Sequence, residues 1–293
     1  MRTSAISVFG KTGRQLRRLA LCSLVAAPAA IGWTSNASAG ITFFEAGGDT
    51  AAAITPARDA FRAAVGGGTT AGANGDFGGL RREINWDGVP DARADPNPLP
   101  ADFFNVNSPR GVVFSTPGTG FLVSANAGLV TSTLFGFPGD LQAFSAQRLF
   151  APTGSGIIDI HFFVPGTSAA ATTTAFGAVF ADADYTVLGD ATTMEFFNPS
   201  NALIDSRRVT ATNNHGLSFL GGVATAGERI SRVRITTPLN FLVSNGVRNN
   251  EDHDFVIMDD FLYATPAAVP EPEVWAMLLA GLAIIRWRSR KRA

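Results

Sequence analysis

Short segments in which apolar and polar residues alternate recur between residues 111 and 263, and this pattern constrains the fold more than any other feature. Glycine, proline and asparagine fill the connections between them. In Arg229–Thr236, for example, Val233 and Ile235 fall on one face of a strand, while Arg232 and Arg234 fall on the other. The predicted strands are Gly111–Ser115, Gly120–Ala125, Gly156–Val164, Thr174–Ala181, Thr192–Phe197, Leu203–Val209, Leu217–Gly221, Arg229–Thr236 and Phe255–Tyr263.

The N-terminal part of the domain adds a strand and a short helix to this pattern. Ile41–Phe44 is predicted as a strand, and Thr55-Pro56 as the N-cap and first residue of a helix that Gly66-Gly67-Gly68 ends. Residues 69–102 are loop-like, with one structured element at Arg81–Asp91. Many short strands with almost no helix predict an all-β fold, a single β-sandwich of residues 40–268.

Both ends of the chain have the composition of processing signals. Residues 1–39 contain a basic stretch, the apolar run Leu19–Ile31 and small residues before a cleavage site. Ala37 and Ala39 form the A-x-A pattern of that site, so the mature chain is predicted to begin at Gly40. This end predicts export.

The C-terminal residues 269–293 contain a proline-bounded triplet, a short apolar helix and a basic end. The triplet is Pro270, Glu271 and Pro272, and the apolar run is Val274–Ile285. A dozen apolar residues are fewer than the ~20 that span a bilayer, and the alternative is a buried helix with a solvated tail. Positive charge is retained on the cytoplasmic side of a membrane. The basic residues are Arg286, Arg288, Arg290, Lys291 and Arg292.

This tail resembles the PEP-CTERM sorting signal, because triplet, helix and basic end occur in the order of that family. The resemblance implies recognition by exosortase, an integral-membrane cysteine protease, and removal of the helix. Such proteins come from bacteria that make exopolysaccharide and biofilm. It therefore implies a transient anchor in the inner membrane, followed by release to the cell envelope or the extracellular space.

The domain between the two ends resembles a family of secreted bacterial proteins that often carry this tail and have no assigned activity. The resembling segments are Arg81–Asp91, Phe103–Gly111 and Met258–Tyr263. The C-terminal half is also similar in outline to galactose-binding-like jelly rolls. The resemblances imply a jelly-roll fold and leave the activity open.

Charge and cysteine content exclude several classes of function. Outside the two signals the domain holds 13 arginines and 22 acids, a net charge of about −9. Such a surface does not favour nucleic acid, whose phosphates need basic partners. The only cysteine, Cys22, lies in the predicted signal, so the mature chain has no disulfide, thiolate nucleophile or cysteine-ligated metal.

No catalytic residues are predicted. His161, His215 and His253 show no metal-ligand spacing, and the chain contains no HExxH or GxSxG motif. His161 lies in the middle of a predicted strand and is interpreted as a structural residue. A Ser–His–Asp site assembled by the fold and a pair of glycosidase carboxylates stay open at this level.

Acidic clusters are the remaining candidates. Asn85–Asp91 is interpreted as an Asx turn or an oxygen-rich site, and Glu251–Asp254 as a solvated loop. Strand alternation sends one of Asp259 and Asp260 inward, where a carboxylate needs a partner or a metal. By analogy with carbohydrate-binding jelly rolls, Glu45, Asp259 and Asp260 are predicted as a calcium site. The alternative partners of the inward aspartate are Arg232 and Arg234.

Three functions remain, in order of preference. The first is a cell-surface or extracellular-matrix structural protein without catalytic activity. The alternative is a module that binds exopolysaccharide, and the third is a glycan hydrolase. Sugar-binding surfaces favour exposed tryptophan, and the domain contains only Trp86 before the tail.

Overall fold

The computed structural model describes residues 40–125, 141–145, 148–184, 191–243, 246–248, 253–269 and 278–285. The helices in these ranges are α1 (Ala51–Val65), α2 (Phe103–Val106), the 3-10 turns Ala73–Gly75 and Asp91–Arg93, and the helical residues 278–285. The strands are β1 (Ile41–Gly48), β2 (Asp76–Phe77), β3 (Arg81–Ile84), β4 (Val112–Ser115), β5 (Gly120–Val123), β6 (Phe150–Thr153), β7 (Ile157–Phe162), β8 (Ala171–Thr172), β9 (Ala175–Ala181), β10 (Thr193–Phe197), β11 (Leu203–Arg208), β12 (Leu217–Ala224), β13 (Arg232–Thr236), β14 (Leu242–Val243), β15 (Gly246–Val247), β16 (Ile257–Ala264) and β17 (Ala267–Ala268).

The described strands form two main sheets, so the fold is all-β as predicted. The large sheet has the order β1-β12-β9-β16-β6-β14-β15, with β3 added to β16, β2 to β3, and β5 to β6. The small sheet has the order β11-β10-β13-β7-β4, and β8 and β17 form a short pair of their own. Neighbouring strands are antiparallel except at the single contact of β14 with β6.

The two sheets pack face to face through phenylalanine. The ring centroid of Phe43 in the large sheet lies 6.0 Å from that of Phe196 in the small sheet. The ring centroids of Phe176, in the large sheet, and Phe162, in the small sheet, are 6.2 Å apart. These rings belong to one continuous cluster that also contains Ile160 and residues from both sheets. Burial of a phenylalanine contributes about 2 to 3 kcal/mol, so this sandwich-like core holds the sheets together.

Helix α1 covers the opposite face of the large sheet. Ile54 and Phe61, seven residues apart on one side of the helix, are fully buried there. Phe61 contacts Phe44 and Phe219 at ring-centroid distances of 6.0 and 5.7 Å. The helix therefore begins at Ala51, one turn before the predicted start, because Ile54 packs on the sheet. Gly66, with φ 88°, ends it as predicted.

The region predicted as loop-like contributes a strand to the large sheet. β3 pairs with β16 in the register Phe261↔Ile84, and Trp86 behind it is buried. Trp86 stacks on Phe150 at 3.9 Å, so the core holds the tryptophan that a sugar-binding surface would expose. β6, which contains Pro152, was not predicted either, because its four residues lack alternation.

Candidate binding groove

Helix α1 forms one wall of a groove along the face of the large sheet. Ala51, Thr55, Arg58 and Arg62 follow one another at helical spacing on the side next to the buried stripe. They line a cleft of about 650 Å³. A second cleft, of about 480 Å³, lies beside the first and shares Arg58, Arg62 and Phe77 with it. The two clefts together are called the groove.

The other walls come from distant parts of the chain. The first cleft is also lined by the loop before β2, by the end of β3, by the segment 141–145 and by β16. These walls supply amide, hydroxyl and charged groups together with two phenylalanine rings. The residues of these walls include Asn74, Phe77, Glu83, Asn85, Arg110, Phe144, Ser145 and Asp260.

Glu83 joins α1 to β3 through an ion network. Arg62 donates to both carboxylate oxygens, with Nε 2.8 Å from Oε1 and Nη2 2.5 Å from Oε2. Arg81 Nε donates to Oε1 at 2.6 Å, and its Nη1 and Nη2 donate to the carbonyls of Gly66 and Gly68. Both oxygens of Glu83 are therefore occupied by guanidinium groups.

Asp259 and Asp260 lie together on the groove side of β16. Met258 pairs with Phe180 and Phe261 with Ala178, so three steps along β16 match two along β9. This bulge interrupts the alternation and buries both carboxyl groups. The prediction of a buried aspartate is confirmed, but both aspartates are buried and not one, because alternation does not hold across the bulge.

Ser145 binds both carboxyl groups. Its single Oγ proton is shared between Asp259 Oδ1, at 3.2 Å, and Asp260 Oδ1, at 2.8 Å, and the Phe144 amide donates to Asp259 Oδ2 at 2.6 Å. Burial raises the pKa of Asp259 well above its usual range, and the charge of Asp260 adds to this rise. Burial also raises the pKa of Asp260. The pair therefore retains a proton at pH values where an exposed aspartate has lost it.

Asp87 is a third carboxyl group with a raised pKa near this pair. Burial raises its pKa to about 6, the charge of Asp260 adds to the rise, and the Arg148 amide opposes it. Asn85 Nδ2 donates to Asp87 Oδ2 at 2.9 Å, a contact between two side chains, whereas an Asx turn would join a side-chain oxygen to a nearby backbone amide. Asp91, at the end of the same segment, pairs with Arg148.

The structure does not bring Glu45 to the two aspartates. The register runs from Glu45 to Leu220 and Ala178 and then to Phe261, three strand spacings or about 14 Å. Arg207 binds Glu45 from β11, with Nε 2.8 Å from Oε2.

Calcium takes six to eight oxygen ligands, whereas Asp259 and Asp260 already accept hydrogen bonds from Phe144 and Ser145. In the described ranges no group of three or more His, Cys, Asp or Glu side chains is placed to hold a metal ion. These residues do not fit a calcium site, and calcium binding at Glu45, Asp259 and Asp260 stays an untested prediction.

A second cluster of carboxyl groups lies where β9 ends and β16 begins. The Asp184 amide donates to Asp254 Oδ2 at 3.1 Å. Burial raises the pKa of Asp254 to about 8, and the hydrogen bond and charge of Asp184 and the charge of Asp182 add to the rise. Glu251 and Asp252, from the predicted acidic loop, lie outside the described residues.

The outer face of the small sheet holds the histidine that was interpreted as structural. Ser115 Oγ lies 3.0 Å from His161 Nε2. Asp159, two residues away, accepts from Arg232 Nη1 at 2.6 Å and from Arg234 Nε at 2.9 Å. Arg232 and Arg234 therefore pair with Asp159 and not with Asp260, and the contacts of Asp159 do not form a Ser–His–Asp relay.

The predicted processing signals lie almost entirely outside the described residues. The residues outside the described ranges include Ala37, Ala39, the triplet Pro270–Pro272 and the basic end Arg286–Arg292. Within the tail, residues 278–285 are helical and largely exposed. In the part of the chain that the structure describes, the helices are too short or too polar to cross a membrane.

Comparison with known proteins adds no family. No protein-family model matches the chain, and no curated protein matches it.

Sequence reasoning missed the groove because its residues are far apart in the chain. Arg62 and Glu83 are separated by 21 residues, and Ser145 and Asp260 by 115. A partial signal existed in Arg58 and Arg62, which are four residues apart beside the apolar side of α1. Nothing local indicated Ser145, because its role depends on the bulge in β16.

Proposed function

We propose that this chain is an exported, non-catalytic cell-surface or extracellular-matrix protein whose sandwich domain binds polysaccharide in the groove. The observation that carries the proposal is the cleft of about 650 Å³, within the size range of ligand sites. Hydroxyl and amide groups of Thr55, Asn74, Asn85 and Ser145 line it beside the ring of Phe144. Such groups suit sugar hydroxyls, and a ring suits the apolar face of a sugar.

The jelly-roll class that we propose for the domain is supported by the strand order. Eight strands make up the two sheets of the proposed jelly roll. In chain order they are β6, β7, β9, β10, β11, β12, β13 and β16. Numbered one to eight, they follow the order one, eight, three, six in the large sheet and two, seven, four, five in the small sheet. This is the order of a jelly roll, in which two Greek keys form the sheets. The galactose-binding-like assignment is part of the same proposal.

Binding is preferred over hydrolysis because of the state of the two groove carboxyl groups. A glycosidase needs one carboxyl group that donates a proton and another that is free to act as base or nucleophile. Asp260 has the raised pKa of a proton donor. Glu83, the second acid in the cleft, has both oxygens bound by Arg62 and Arg81. This arrangement favours a structural carboxylate over a reactive one.

Retention on immobilised exopolysaccharide tests the proposal, with release of reducing ends measured in parallel. We expect the purified exported protein to be retained and to release no sugar. Phe77→Ala should lower retention severalfold, whereas Phe197→Ala should not. The two rings are matched, because Arg81 lies 4.5 Å from the Phe77 centroid and Arg232 lies 3.7 Å from that of Phe197. If the wild-type protein released reducing ends and the Asp260→Asn variant did not, the domain would be a hydrolase and the proposal would be wrong.

We further propose that the tail is a PEP-CTERM signal and that exosortase removes the anchor helix. The triplet, the apolar run and the basic end support this assignment. The intact mass of the exported form should correspond to a chain that begins at Gly40 and lacks residues 274–293. A form that retains Trp275 and Trp287 would contradict it. Replacing Pro270 and Pro272 by alanine should leave the protein in the membrane fraction.

A further inference from the structure

The groove collects positive charge in an acidic domain. Four of the 13 arginines of the domain line its two clefts, although the domain has a net charge of about −9. The acids beside them are Asp59, Glu83 and Asp260. The groove therefore has a charge of about +1, or +2 when Asp260 holds its proton. The arginines are Arg58, Arg62, Arg81 and Arg110.

Two of these arginines have capacity for a ligand. Arg58, whose side chain is 15% exposed, pairs with Asp59, the next residue. The Asp59 side chain is 52% exposed, so water weakens this ion pair. Arg110 donates to the Glu83 carbonyl and, through Nε, to Ser108 Oγ at 3.1 Å. In the described part of the chain no carboxylate lies within 4.0 Å of the Arg110 guanidinium, so its charge is not balanced by an ion pair.

The surroundings of the two guanidinium groups resemble each other. Arg58 lies over the ring of Phe144 at 4.8 Å, and Arg110 lies over that of Phe104 at 5.1 Å. An aromatic face orients a guanidinium and leaves its edge to donate. Burial lowers the pKa of Arg110, so a bound anion would offset the cost of burying its charge.

From this charge and geometry we infer that the groove selects polysaccharides that carry carboxylate groups, such as polyuronates, with Arg58 and Arg110 as the anion-binding residues. The inference rests on the proposed function and specifies its ligand class. Guanidinium binds carboxylate through two parallel hydrogen bonds, a contact that a neutral sugar cannot provide. Two adjacent clefts that share three lining residues offer room for more than one sugar of a chain.

The test compares two ligands with one backbone, polygalacturonate and its fully methyl-esterified form, by titration calorimetry of the exported protein. We expect polygalacturonate to bind at least tenfold more tightly at low salt, with an affinity that falls as sodium chloride is raised, since salt screens charge. Arg58→Gln should weaken polygalacturonate binding about five- to tenfold and leave binding of the ester unchanged. Arg208→Gln, an exposed arginine on β11, is the matched control and should bind as the wild type does.

The outcomes separate the inference from the proposed function. Equal affinity for both ligands would overturn the charge selection and leave polysaccharide binding standing. Binding of neither ligand would overturn the inference, and the retention assay on exopolysaccharide then decides the proposed function separately. An Arg208→Gln loss as large as that of Arg58→Gln would also overturn the inference, because it would indicate attraction by total charge. For Arg110→Gln, the affinity for polygalacturonate and the melting temperature are both measured, so that a loss of binding can be distinguished from a loss of stability. Arg110→Lys keeps the charge and should bind polygalacturonate more tightly than Arg110→Gln.

Discussion

The groove and the outer face of the small sheet both hold networks of arginine and carboxylate, but they are built differently. On the small sheet, Asp159 pairs with Arg234 directly opposite it in the register of β7 and β13. In the groove, Glu83 binds Arg62 of a helix and Arg81 of its own strand, while Arg110 forms no ion pair with any of the described residues. In the small sheet, adjacent strands place each charged group next to its partner. In the groove, the charged groups come from distant segments, and the guanidinium of Arg110 can bind a ligand.

The largest expected difference between the two networks is in stability. Glu83→Gln removes the counter-charge of Arg81, whose side chain is only 4% exposed, and loss of one partner of a buried pair costs about 3 kcal/mol or more. Asp159→Asn should cost less, about 1 to 2 kcal/mol. Arg234 is 38% exposed, so water can replace the carboxylate there, whereas Arg232, at 13%, loses a more buried partner. Urea unfolding of the two variants measures both losses. Equal losses would show that the groove network is no more buried than the sheet network.

The two regions should also respond to pH with opposite sign. Burial raises the pKa of Asp87 to about 6 from an ordinary value of 3.8, so the folded state holds a proton that the unfolded chain has released. The free energy of unfolding therefore falls as pH rises from about 4 to 6, and Asp260 contributes with the same sign. Burial lowers the pKa of His161 from 6.5, so its contribution rises with pH and is complete above about 6.5.

Urea unfolding from pH 4 to 8 checks this prediction. Asp260→Asn should make the decline with pH shallower, and His161→Gln should remove the rise. If Asp260→Asn steepened the decline, the raised pKa of Asp260 would be wrong.

A smaller difference is expected for the two serines that bind charged or titratable groups. Ser145→Ala removes the hydroxyl that donates to both buried aspartates and should cost about 1 to 2 kcal/mol. Ser115→Ala removes the hydroxyl beside His161 on an exposed face and should cost about 0.5 kcal/mol. Thermal unfolding measures the pair. The reverse order would mean that the aspartate pair does not depend on Ser145.

The smallest expected effect concerns calcium. Because Glu45 lies about 14 Å along the sheet from β16, calcium cannot join these strands through it. The melting temperature of the purified domain, residues 40–268, should be the same in calcium and in chelator. A calcium-dependent rise that Asp260→Asn abolishes would restore the predicted site in another form.

Strand positions were predictable because alternation is local. Each of the nine strands predicted between residues 111 and 263 is present, with ends that differ by one to three residues in most cases. Arg232 and Arg234 lie on the face opposite Val233 and Ile235, as alternation requires. The helix start was predicted too late, and β3 was predicted only as part of a structured element at Arg81–Asp91 and not as a strand, because both depend on packing against the large sheet.

By itself, the sequence determined the all-β class, the turns, the acidic charge of the domain and its lack of cysteine. These follow from the chemistry and spacing of neighbouring residues. Tertiary structure alone decided that Asp259 and Asp260 share one side of β16, and that Ser145 and Arg62 lie beside them. The physical reason is that the bulge depends on how β16 aligns with β9, and the groove contacts join segments up to 115 residues apart.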